Sequence, residues 1–451
     1  MAKPEEGAFK PYDIRFIYKK GFSEDLAYRI GRGFVDFVGC KNVVIGRDAR
    51  KSSGPLFEAI SRGIMDQGAD VIEIGLCSTP MLYFAVANYG YDAGIMITAS
   101  HNPAEYNGFK LTREQAIPIG QDNGMLDIKA KVLSKGFSKP TREGKLIRRD
   151  IMQDYCVHVL SKISVIDRMK IVVDAGNAMA GYTLPKIFES LPVEVVPMYF
   201  KLDLSFPNHE ANPLKFETLK SLQARVVEEK AQLGVAFDGD ADRVFFVDEQ
   251  GSIVPADFTT ALLAEEMLKK HPGSVVLYDL RSSWVVREVI ERHGGKPMMC
   301  RVGHAFIKQQ MRANDAVFGG ELSGHFYFKD NFYTESGVIT MLRMMELMCR
   351  RRGKLSELVA PLKRYHQSGE INFRVSDREA VLAAIEKHFS GEKISHLDGV
   401  KIETNEYWVN IRPSNTEPLV RLTAEAKHPE TLKRVVDEVK RVVEPFLVKE
   451  N

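Results

Sequence analysis

The stretch Asn42-Val43-Val44-Ile45-Gly46 is a β-branched run that ends at a glycine, as expected of a buried strand. A helical apolar pattern follows, opened by Pro55 and closed by Gly68, and a second run, Val71-Ile72-Glu73-Ile74, comes next. A third run, Gly94-Ile95-Met96-Ile97-Thr98, leads directly into polar residues. Strands separated by a helix of this length predict an α/β unit with a parallel or mixed sheet.

The same pattern occurs twice more along the chain, and repeated patterns usually share a fold. Strands of the later copies are expected at 171–173, 193–196, 234–237, 274–277, 298–299 and 316–318. Helices are expected around Ile187 in the second copy and between a cap at Ser283 and a stop near Gly294 in the third. The sequence therefore predicts three related mixed α/β domains. Ligands bind beyond the carboxyl ends of strands in such sheets, so the three domains can present their loops to one central cleft.

After Leu362 the pattern changes to that of a smaller α+β unit. We expect its strands at 371–375, 400–402 and 408–411, and its helices at 380–389 and 431–448. The basic segment 134–150 is interpreted as a solvated connection rather than a binding patch. These changes predict four domains with the boundaries 1–149, 150–252, 253–364 and 365–451.

Composition excludes several classes of protein. A chain of 451 residues is long enough for two to four domains, and 62 basic against 60 acidic residues give a net charge of +2, which argues against a nucleic-acid partner. The first ten residues lack the apolar core of a secretory signal, and no run is apolar for long enough to span a membrane. The five scattered cysteines predict a reduced, cytoplasmic setting. No expectation about oligomeric state follows.

The loop after the third strand of the first unit contains Ser100 and His101, and Lys110 follows soon after. A serine beside a histidine and near a lysine can be a nucleophile with a base, or a phosphate carrier whose charge the cations offset. A polar turn closed by Asn102-Pro103 explains the same residues. The G-x-S-x-G elbow is absent, which disfavours a hydrolase of that type.

The second loop places carboxylates at Asp238, Asp240 and Asp242. Three such groups would repel one another strongly unless a hard cation such as Mg²⁺ balances them. An EF-hand is disfavoured because its sixth position is Arg243 where glycine is needed, and because a strand follows directly. A solvated acidic turn is the other interpretation.

The third loop, Gly319 to His325, offers Glu321 and Ser323 two residues apart. In extended backbone both side chains lie on one face, where they can bond adjacent sugar hydroxyls. A glycine-rich bend explains the loop equally well.

The fourth loop, Arg412-Pro413-Ser414-Asn415-Thr416-Glu417-Pro418, follows a predicted strand. It combines a guanidinium with hydroxyl and amide donors, and such a set binds phosphate. A simple turn is the competing interpretation. Neither G-x-x-x-x-G-K-[ST] nor G-x-G-x-x-G occurs, so nucleotide binding is not supported.

Together, the four loops resemble the signature of the α-D-phosphohexomutases, and within them the bacterial phosphomannomutase/phosphoglucomutase group. The matching segments, in the family's order, are TASHNPAEYNGFK (98–110), DGDADR (238–243), GGELSGH (319–325) and RPSNTEP (412–418). Tyr12-Asp13-Ile14-Arg15 is similar to the family's N-terminal Y-D-I-R-G, although Phe16 replaces the glycine. The resemblance implies three related α/β domains and a C-terminal TATA-binding-protein-like domain around a central cleft.

The resemblance also implies a role for each loop. Ser100 would carry a phosphoryl group and help to bind Mg²⁺ together with the three aspartates. The other catalytic residues implied are His101, Lys110, Arg15 and Arg243. The substrate-binding residues implied are Glu321, Ser323, His325, His304, Arg281, Arg412, Ser414, Asn415 and Thr416.

The implied reaction interconverts a hexose 6-phosphate and its 1-phosphate, with phosphoserine and a hexose 1,6-bisphosphate intermediate that also serves as activator. Leu322 favours mannose or glucose phosphates, because phosphoglucosamine mutases resemble G-G-E-Q-S-G-H at that point. A phosphoglucosamine mutase remains one alternative. The others are a phosphatase with Asp238 as nucleophile and a non-catalytic protein that binds a sugar phosphate.

Overall fold

The computed structural model describes residues 4–20, 22–414 and 419–448, and the description below is confined to them. Their strands form four sheets, one after another along the chain. No helix in these ranges combines the length and apolar character needed to cross a membrane.

The first sheet contains β1 (Ile14–Ile17), β2 (Asn42–Arg47), β3 (Asp70–Leu76), β4 (Ala93–Ile97), β5 (Tyr106–Arg113) and β6 (Leu146–Arg148). The helices of this part are α1 (Pro4–Gly7), α2 (Glu24–Val38), α3 (Ser53–Asp66), α4 (Thr79–Asn88) and α5 (Met125–Ser134). The strand order is β1-β5-β4-β2-β3-β6. Neighbours among β4, β2, β3 and β6 are parallel, whereas β5 is antiparallel to both of its neighbours.

The second sheet contains β7 (Met169–Asp174), β8 (Val193–Met198), β9 (Leu233–Phe237), β10 (Val244–Asp248) and β11 (Ile253–Val254). Its helices are α6 (Met152–Leu160), α7 (Met179–Phe188) and α8 (Lys220–Glu228). The strand order is β11-β10-β9-β7-β8. Here β7 is parallel to β8 and β9, and β10 is antiparallel to both of its neighbours.

The third sheet contains β12 (Val275–Asp279), β13 (Lys296–Cys300), β14 (Phe318–Gly320), β15 (Phe326–Phe328) and β16 (Thr334–Glu335). Its helices are α9 (Ala256–Lys270), α10 (Trp284–Arg292), α11 (His304–Ala313), α12 (Gly337–Arg351) and α13 (Leu355–Val359). The strand order β13-β12-β14-β15-β16 again has β12 parallel to its two neighbours and β15 antiparallel to its own. Three sheets with the same central arrangement confirm the predicted repeat.

The fourth sheet contains β17 (His366–Gln367), β18 (Ile371–Arg374), β19 (Lys393–Ser395), β20 (Val400–Glu403), β21 (Tyr407–Pro413) and β22 (Leu419–Ala426). Its helices are α14 (Arg378–His388) and α15 (Pro429–Val443). Every pair in this sheet is antiparallel. The C-terminal unit therefore has the predicted α+β character, with helices that supply their own apolar residues to its core.

Helix α4 joins the first sheet to the next two units. Residues Thr79 to Ala87 are all buried, so the helix has no polar face toward solvent. Its apolar side chains belong to one core cluster with side chains from β7, β9 and α12. A helix that is apolar all round has to be covered on every side, and here the covering surfaces come from different parts of the chain.

The secondary structure differs from the prediction in several places. Residues 106–110, grouped with the first loop, belong to β5, which pairs with β1 and β4. Strand β22 was missed, although its alternating pattern between Leu419 and Ala426 fits a strand. The last α-helix ends at Val443 and not at 448, because Pro445 cannot continue the hydrogen-bonding pattern.

Candidate active site

The first three functional loops occupy the same place in the three related sheets. Each follows the strand that runs parallel to the central one and precedes an antiparallel return strand, so the loops lie at 98–105, 238–243 and 321–325. This position is the carboxyl end of a strand, where α/β sheets bind ligands. The fold therefore presents three equivalent loops, and contacts between their side chains bring them together.

Ser100 lies at the meeting point of the first two loops. Its side chain is buried, and its Oγ donates a hydrogen bond of 2.7 Å to Oδ2 of Asp238. His101 Nδ1 lies 3.1 Å from the same Oγ. Ser100 has a φ of +49°, in the left-handed region that residues other than glycine adopt at a cost, and such strain is concentrated at functional sites.

A close approach of two backbones holds this meeting point together. A Cβ on Gly239 would lie 2.3 Å from the carbonyl oxygen of Ser100. Real Cβ atoms essentially never come that close to a backbone oxygen, so the position requires glycine. The second loop can therefore lie directly against the first only because it carries no side chain at this residue.

Asp238, Asp240 and Asp242 form a buried cluster in which one carboxylate oxygen of each lies within 4.8 Å of the others. Burial and the charges of the two neighbouring aspartates raise the pKa of Asp238 well above its usual value. Burial also raises the pKa of Asp242, but Lys110 and His325 outweigh it and hold that pKa well below its usual value. Asp238 is therefore less well balanced by neighbouring positive charge than Asp242.

The cluster fits a hard divalent cation. Oδ1 of Asp240 is buried and has no hydrogen-bond partner in the described part of the chain, and such a carboxylate oxygen is costly unless something coordinates it. Carboxylate oxygens with a neighbouring hydroxyl are ligands that Mg²⁺ accepts. Asp238, Asp240, Asp242 and the Oγ of Ser100 thus provide an all-oxygen donor set for a metal ion.

Two cations from the first sheet face this cluster. Lys110, on β5, places its Nζ 2.9 Å from Oδ2 of Asp240 and also pairs with Asp242. Burial disfavours the charge on Lys110, but these two aspartates outweigh it and raise its pKa. Arg15, on β1, donates to the carbonyl oxygen of Ala99 and is thereby attached to the Ser100 loop.

Arg50 is a site residue that sequence reasoning missed. Its guanidinium is buried and donates to the carbonyl oxygens of Ser100 (2.9 Å), Asn102 (2.8 Å), Pro103 (2.7 Å) and Tyr106 (3.1 Å). Asp48 accepts a further hydrogen bond from its Nε. Arg50 lies in the loop that follows β2, at the carboxyl edge of the sheet, and that position is the signal that could have found it.

Thr79, at the beginning of α4, is a second residue that was missed. Its Oγ1 donates a hydrogen bond of 2.6 Å to Oδ2 of Asp240, and its amide donates to the carbonyl oxygen of the same aspartate. The interdomain helix therefore fixes one member of the acidic cluster. The spacing of residues gave no signal for this contact, because it joins two different domains.

The second and third loops meet at Arg243 and His325. Arg243 Nε lies 3.3 Å from Nε2 of His325, and the same Nε2 lies 3.2 Å from Oδ1 of Asp242. Burial lowers the pKa of His325, but Asp242 outweighs it, and the pKa is raised to about 9. A protonated His325 therefore links the third loop to the acidic cluster.

Glu321 and Ser323 both lie against His325, on the side away from Asp242. Nδ1 of His325 is 3.1 Å from Oε2 of Glu321 and 2.8 Å from the Oγ of Ser323. Tyr327 donates a 2.6 Å hydrogen bond to Glu321. Burial raises the pKa of Glu321, but the bond with His325 outweighs it and lowers the pKa to about 2. Glu321 is therefore a fixed, ionised acceptor.

His304, at the beginning of α11, lies beside this group. Its ring centroid is 6.3 Å from that of His325 and 6.0 Å from that of Tyr12. Burial and the charge of Lys308 lower the pKa of His304 well below its usual value. The structure therefore brings a neutral imidazole near the third loop.

Arg281 and Arg412 lie near each other at the boundary with the C-terminal unit. Arg281 pairs with Asp279, whose Oδ2 also accepts a hydrogen bond from the amide of Leu322 in the third loop. Both guanidiniums lie 3.6 Å from Oε2 of Glu370. Glu370 was not predicted as a site residue.

The fourth loop is described only in part. Ser414 is buried, and its amide donates a 2.8 Å hydrogen bond to the carbonyl oxygen of Leu419. Asn415 and Thr416, which the resemblance assigns to phosphate binding, lie outside the described residues.

A continuous series of contacts therefore connects the predicted residues of all four units. It runs from Ser100 through Asp238, Arg243, His325, Glu321, Asp279, Arg281 and Glu370 to Arg412. The part of this series between Glu321 and Asp279 passes through the backbone of Leu322. The serine and the arginine stand at its two ends.

Models of all four domains of one protein family match the chain in order. They are described as phosphoglucomutase/phosphomannomutase alpha/beta/alpha domains I, II and III and the C-terminal domain, and they match residues 6–139, 153–251, 255–365 and 370–442. The chain belongs to the phosphoglucomutase/phosphomannomutase family. The resemblance found in the four loops is thereby confirmed.

Individual relatives agree with this family. The phosphomannomutase of Salmonella typhimurium is 40% identical over 432 residues, which are 93% of this chain and 94% of the relative. The phosphohexose mutases of Xanthomonas campestris are 39% identical over 425 residues, covering 93% and 95%. A crystal structure of a family protein from Burkholderia thailandensis matches with a TM-score of 0.91 at 31% identity, covering 98% of this chain and 97% of that one.

Membership of the family confirms the α/β multidomain fold and makes this chain a hexose-phosphate mutase, which is an isomerase of carbohydrate metabolism. The alternatives of a phosphoglucosamine mutase, an Asp238-dependent phosphatase and a non-catalytic binding protein are not favoured. The buried aspartate cluster could hold the metal ion that the family uses.

The contact between Gly239 and the Ser100 carbonyl gives a first prediction. We expect Gly239→Ala to reduce the mutase rate at least tenfold, because the added Cβ has to push the two loops apart and 1 Å of displacement at a reacting centre is costly. Gly54→Ala is the matched control, since a Cβ there meets nothing within 4 Å. Steady-state kinetics on both variants measure the effect. Full activity of Gly239→Ala would show that the close approach is unimportant.

Proposed function

We propose that this family member carries the transferred phosphoryl group on Ser100 and interconverts the 6-phosphate and 1-phosphate of a hexose. The observation that carries the proposal is the 2.7 Å hydrogen bond between the Ser100 hydroxyl and Asp238 in a buried acidic cluster. A serine fixed at the carboxyl end of a strand, with cations on one side and metal-ligating carboxylates on the other, suits phosphoryl transfer.

The proposed reaction has two transfers of the same kind. In the first, the bond between phosphorus and the Ser100 oxygen breaks while a bond between phosphorus and a free hexose hydroxyl oxygen forms. The hydroxyl gives up its proton, and the Ser100 oxygen gains one. The resulting hexose 1,6-bisphosphate turns over in the cleft and returns its other phosphoryl group to Ser100 by the reverse chemistry, which yields the isomeric monophosphate.

His101 and Lys110 have different proposed roles because their contacts differ. Nδ1 of His101 is 3.1 Å from the Ser100 Oγ, a distance at which a proton can pass between them. Lys110 is held as a cation by Asp240 and Asp242, so it can stabilise the negative charge of the transferring group. Arg15 and Arg243 hold the two loops that this group has to approach.

A bound Mg²⁺ would offset the negative charge of the phosphoryl group during transfer. Asp238, Asp240, Asp242 and the phosphorylated Ser100 are the residues that would hold it. In the described structure Lys110 balances two of the three aspartates, whereas Asp238 has hydrogen bonds from Ser100 and the Arg243 amide and only a distant ion pair, 3.9 Å, with the Arg243 guanidinium. The cation would thus complete the charge balance at Asp238.

The remaining predicted residues are proposed to hold the sugar phosphate in two orientations. Glu321 and Ser323 offer acceptors for sugar hydroxyls, with His325 and His304 beside them. The phosphate that is not reacting is proposed to bind to a second group of residues, called the grip: Arg281, Arg412, Ser414, Asn415 and Thr416. Because the grip lies at the opposite end of the contact series from Ser100, a bisphosphate can present either phosphate to the serine.

The finer points of function are also proposals. We propose mannose or glucose phosphates as substrates, hexose 1,6-bisphosphate as the activator that loads Ser100, and functional domains with the boundaries predicted from the sequence. A cytoplasmic location is supported by the cysteines, all five of which are unpaired.

A variant without the Ser100 hydroxyl tests the carrier. We expect Ser100→Ala to lose at least 10⁴-fold in the rate of isomerisation, because the group that accepts phosphorus is removed, while hexose 6-phosphate still binds. Ser134→Ala changes an exposed serine of the same unit and should keep full activity. Intact mass after incubation with hexose 1,6-bisphosphate should show one added phosphate in the control alone. An active Ser100→Ala variant would contradict the assignment.

The acidic cluster gives a second test. We expect Asp240→Asn to weaken Mg²⁺ binding about tenfold or more, because one of three charged ligands is lost. Titration calorimetry with MgCl₂ measures this directly, and the MgCl₂ concentration for half-maximal activity should rise in parallel. Asp127→Asn, an exposed carboxylate changed in the same way, should match the parent protein. Unaltered Mg²⁺ affinity in Asp240→Asn would place the metal elsewhere.

The sugar is tested by comparing mannose 1-phosphate, glucose 1-phosphate and glucosamine 1-phosphate in coupled assays with Mg²⁺ and a bisphosphate activator. We expect kcat/KM for the first two to exceed that for glucosamine 1-phosphate at least tenfold, because the loop carries Leu322 and offers no amide at that position. A preference for glucosamine 1-phosphate would reverse the substrate proposal and leave the carrier proposal intact.

A further inference from the structure

Glu370 lies among three guanidinium groups at the boundary of the C-terminal unit. Its Oε2 is 3.6 Å from Nη1 of Arg281 and 3.6 Å from Nη2 of Arg412, and its Oε1 is 3.4 Å from Nη1 of Arg421. These distances are those of ion pairs and not of short hydrogen bonds. A third of the Glu370 side chain is exposed, so the carboxylate borders on solvent.

The arginines around this carboxylate repel one another. Arg412 and Arg421 are directly opposite each other across β21 and β22, an arrangement that is unfavourable for like charges. Burial and the charge of Arg281 lower the pKa of Arg412. Like charges brought together by the register of a sheet and by a domain boundary need an anion between them.

The other contacts of Arg281 and Arg412 do not satisfy all of their N–H groups. Asp279 pairs with one side of the Arg281 guanidinium, and Nη1 is left facing Glu370. Among the described residues, the buried Nε of Arg412 has no hydrogen-bond partner. For Arg281 and Arg412, the Glu370 carboxylate at 3.6 Å thus provides a negative charge without a close hydrogen bond.

We propose that Glu370 is an internal counter-ion that takes the place of the substrate's phosphate between Arg281, Arg412 and Arg421 and is displaced when the phosphate binds. A phosphate brings up to two charges and several acceptor oxygens, which match guanidinium forks better than one loosely held carboxylate. Glu370 immediately precedes β18 and follows Gly369, whose φ of +66° marks a turn, and its exposed side offers a way out.

This role rests on the proposed function, because the phosphate that displaces Glu370 is taken to be that of a hexose phosphate. The bisphosphate intermediate has to leave the arginines before it can present its second phosphate to Ser100. A carboxylate that returns to the arginines makes that release less unfavourable. Glu370 is therefore a positioning residue that acts through the arginines and lowers their affinity for the phosphate.

The test is Glu370→Gln, which keeps the shape of the side chain and removes its charge. We expect inorganic phosphate and hexose 6-phosphate to bind about three- to tenfold more tightly, because neither has to displace an anion. Unphosphorylated hexose should bind as before. KM for the hexose phosphate should fall by a similar factor, and kcat should fall as well because release of the intermediate slows. Titration calorimetry and steady-state kinetics measure these quantities.

Two further variants separate this role from a structural one. Glu392→Gln removes an exposed carboxylate of the same unit and should bind phosphate like the parent protein. Glu370→Asp keeps the charge and should stay closer to the parent than to Glu370→Gln. If a folded Glu370→Gln protein binds phosphate with equal or lower affinity, Glu370 supports the grip and does not compete for it, and the proposal is overturned. Phosphate binding is measured without turnover, so that result is distinct from a lack of mutase activity in the parent protein.

Discussion

Three carboxylates of one six-residue loop are buried within 4.8 Å of one another, and most of the site is arranged to balance their charge. Lys110 reaches two of them from another sheet, and His325 reaches one of the two from a third. In a low-dielectric interior such charges are tolerated only when they are paired. The aspartate cluster therefore holds three domains in register, and the same attraction places Ser100 beside a site for a divalent cation.

Repetition of one α/β unit explains how the compensating groups arrive at the same point. In each unit the functional loop joins a parallel strand to its antiparallel return strand, so equivalent loops differ in chemistry and not in position. One loop contributes a hydroxyl, the next a set of carboxylates and the third an acceptor with a histidine. A contiguous apolar core, which includes the side chains of α4 from Met81 to Ala87, fixes the first three units relative to one another. Packing thus sets the geometry, and a few polar residues at strand ends supply the chemistry.

The sequence predicted the three sheets and the four loops because both leave local signals: apolar runs of strand length, and polar residues immediately after them. It also predicted that Asp238, Asp240 and Asp242 face one point. Thr79 and Glu370 were missed because their roles depend on contacts with another unit, whose relative placement the sequence does not express. Arg50 was missed although it lies near the carboxyl end of a predicted strand, because its partners are backbone carbonyl oxygens 50 or more residues further along the chain. Strand β5 was missed although Phe109 and Leu111 alternate with Lys110 and Thr112, because residues 106–110 were interpreted together with the polar loop before them.

The two ends of the site differ in how firmly charge is held. Around Ser100 the ion pairs of Lys110 with Asp240 and Asp242 are buried and short, as expected where a phosphoryl group must be met by fixed charges that need no rearrangement during transfer. Around Arg412 the pairs are longer and one partner borders on solvent. A mutase needs this asymmetry, because one phosphate must react in a rigid place while the other is held and then released. A grip as tight as the reacting end would retain the bisphosphate in one orientation, and the second transfer would not follow.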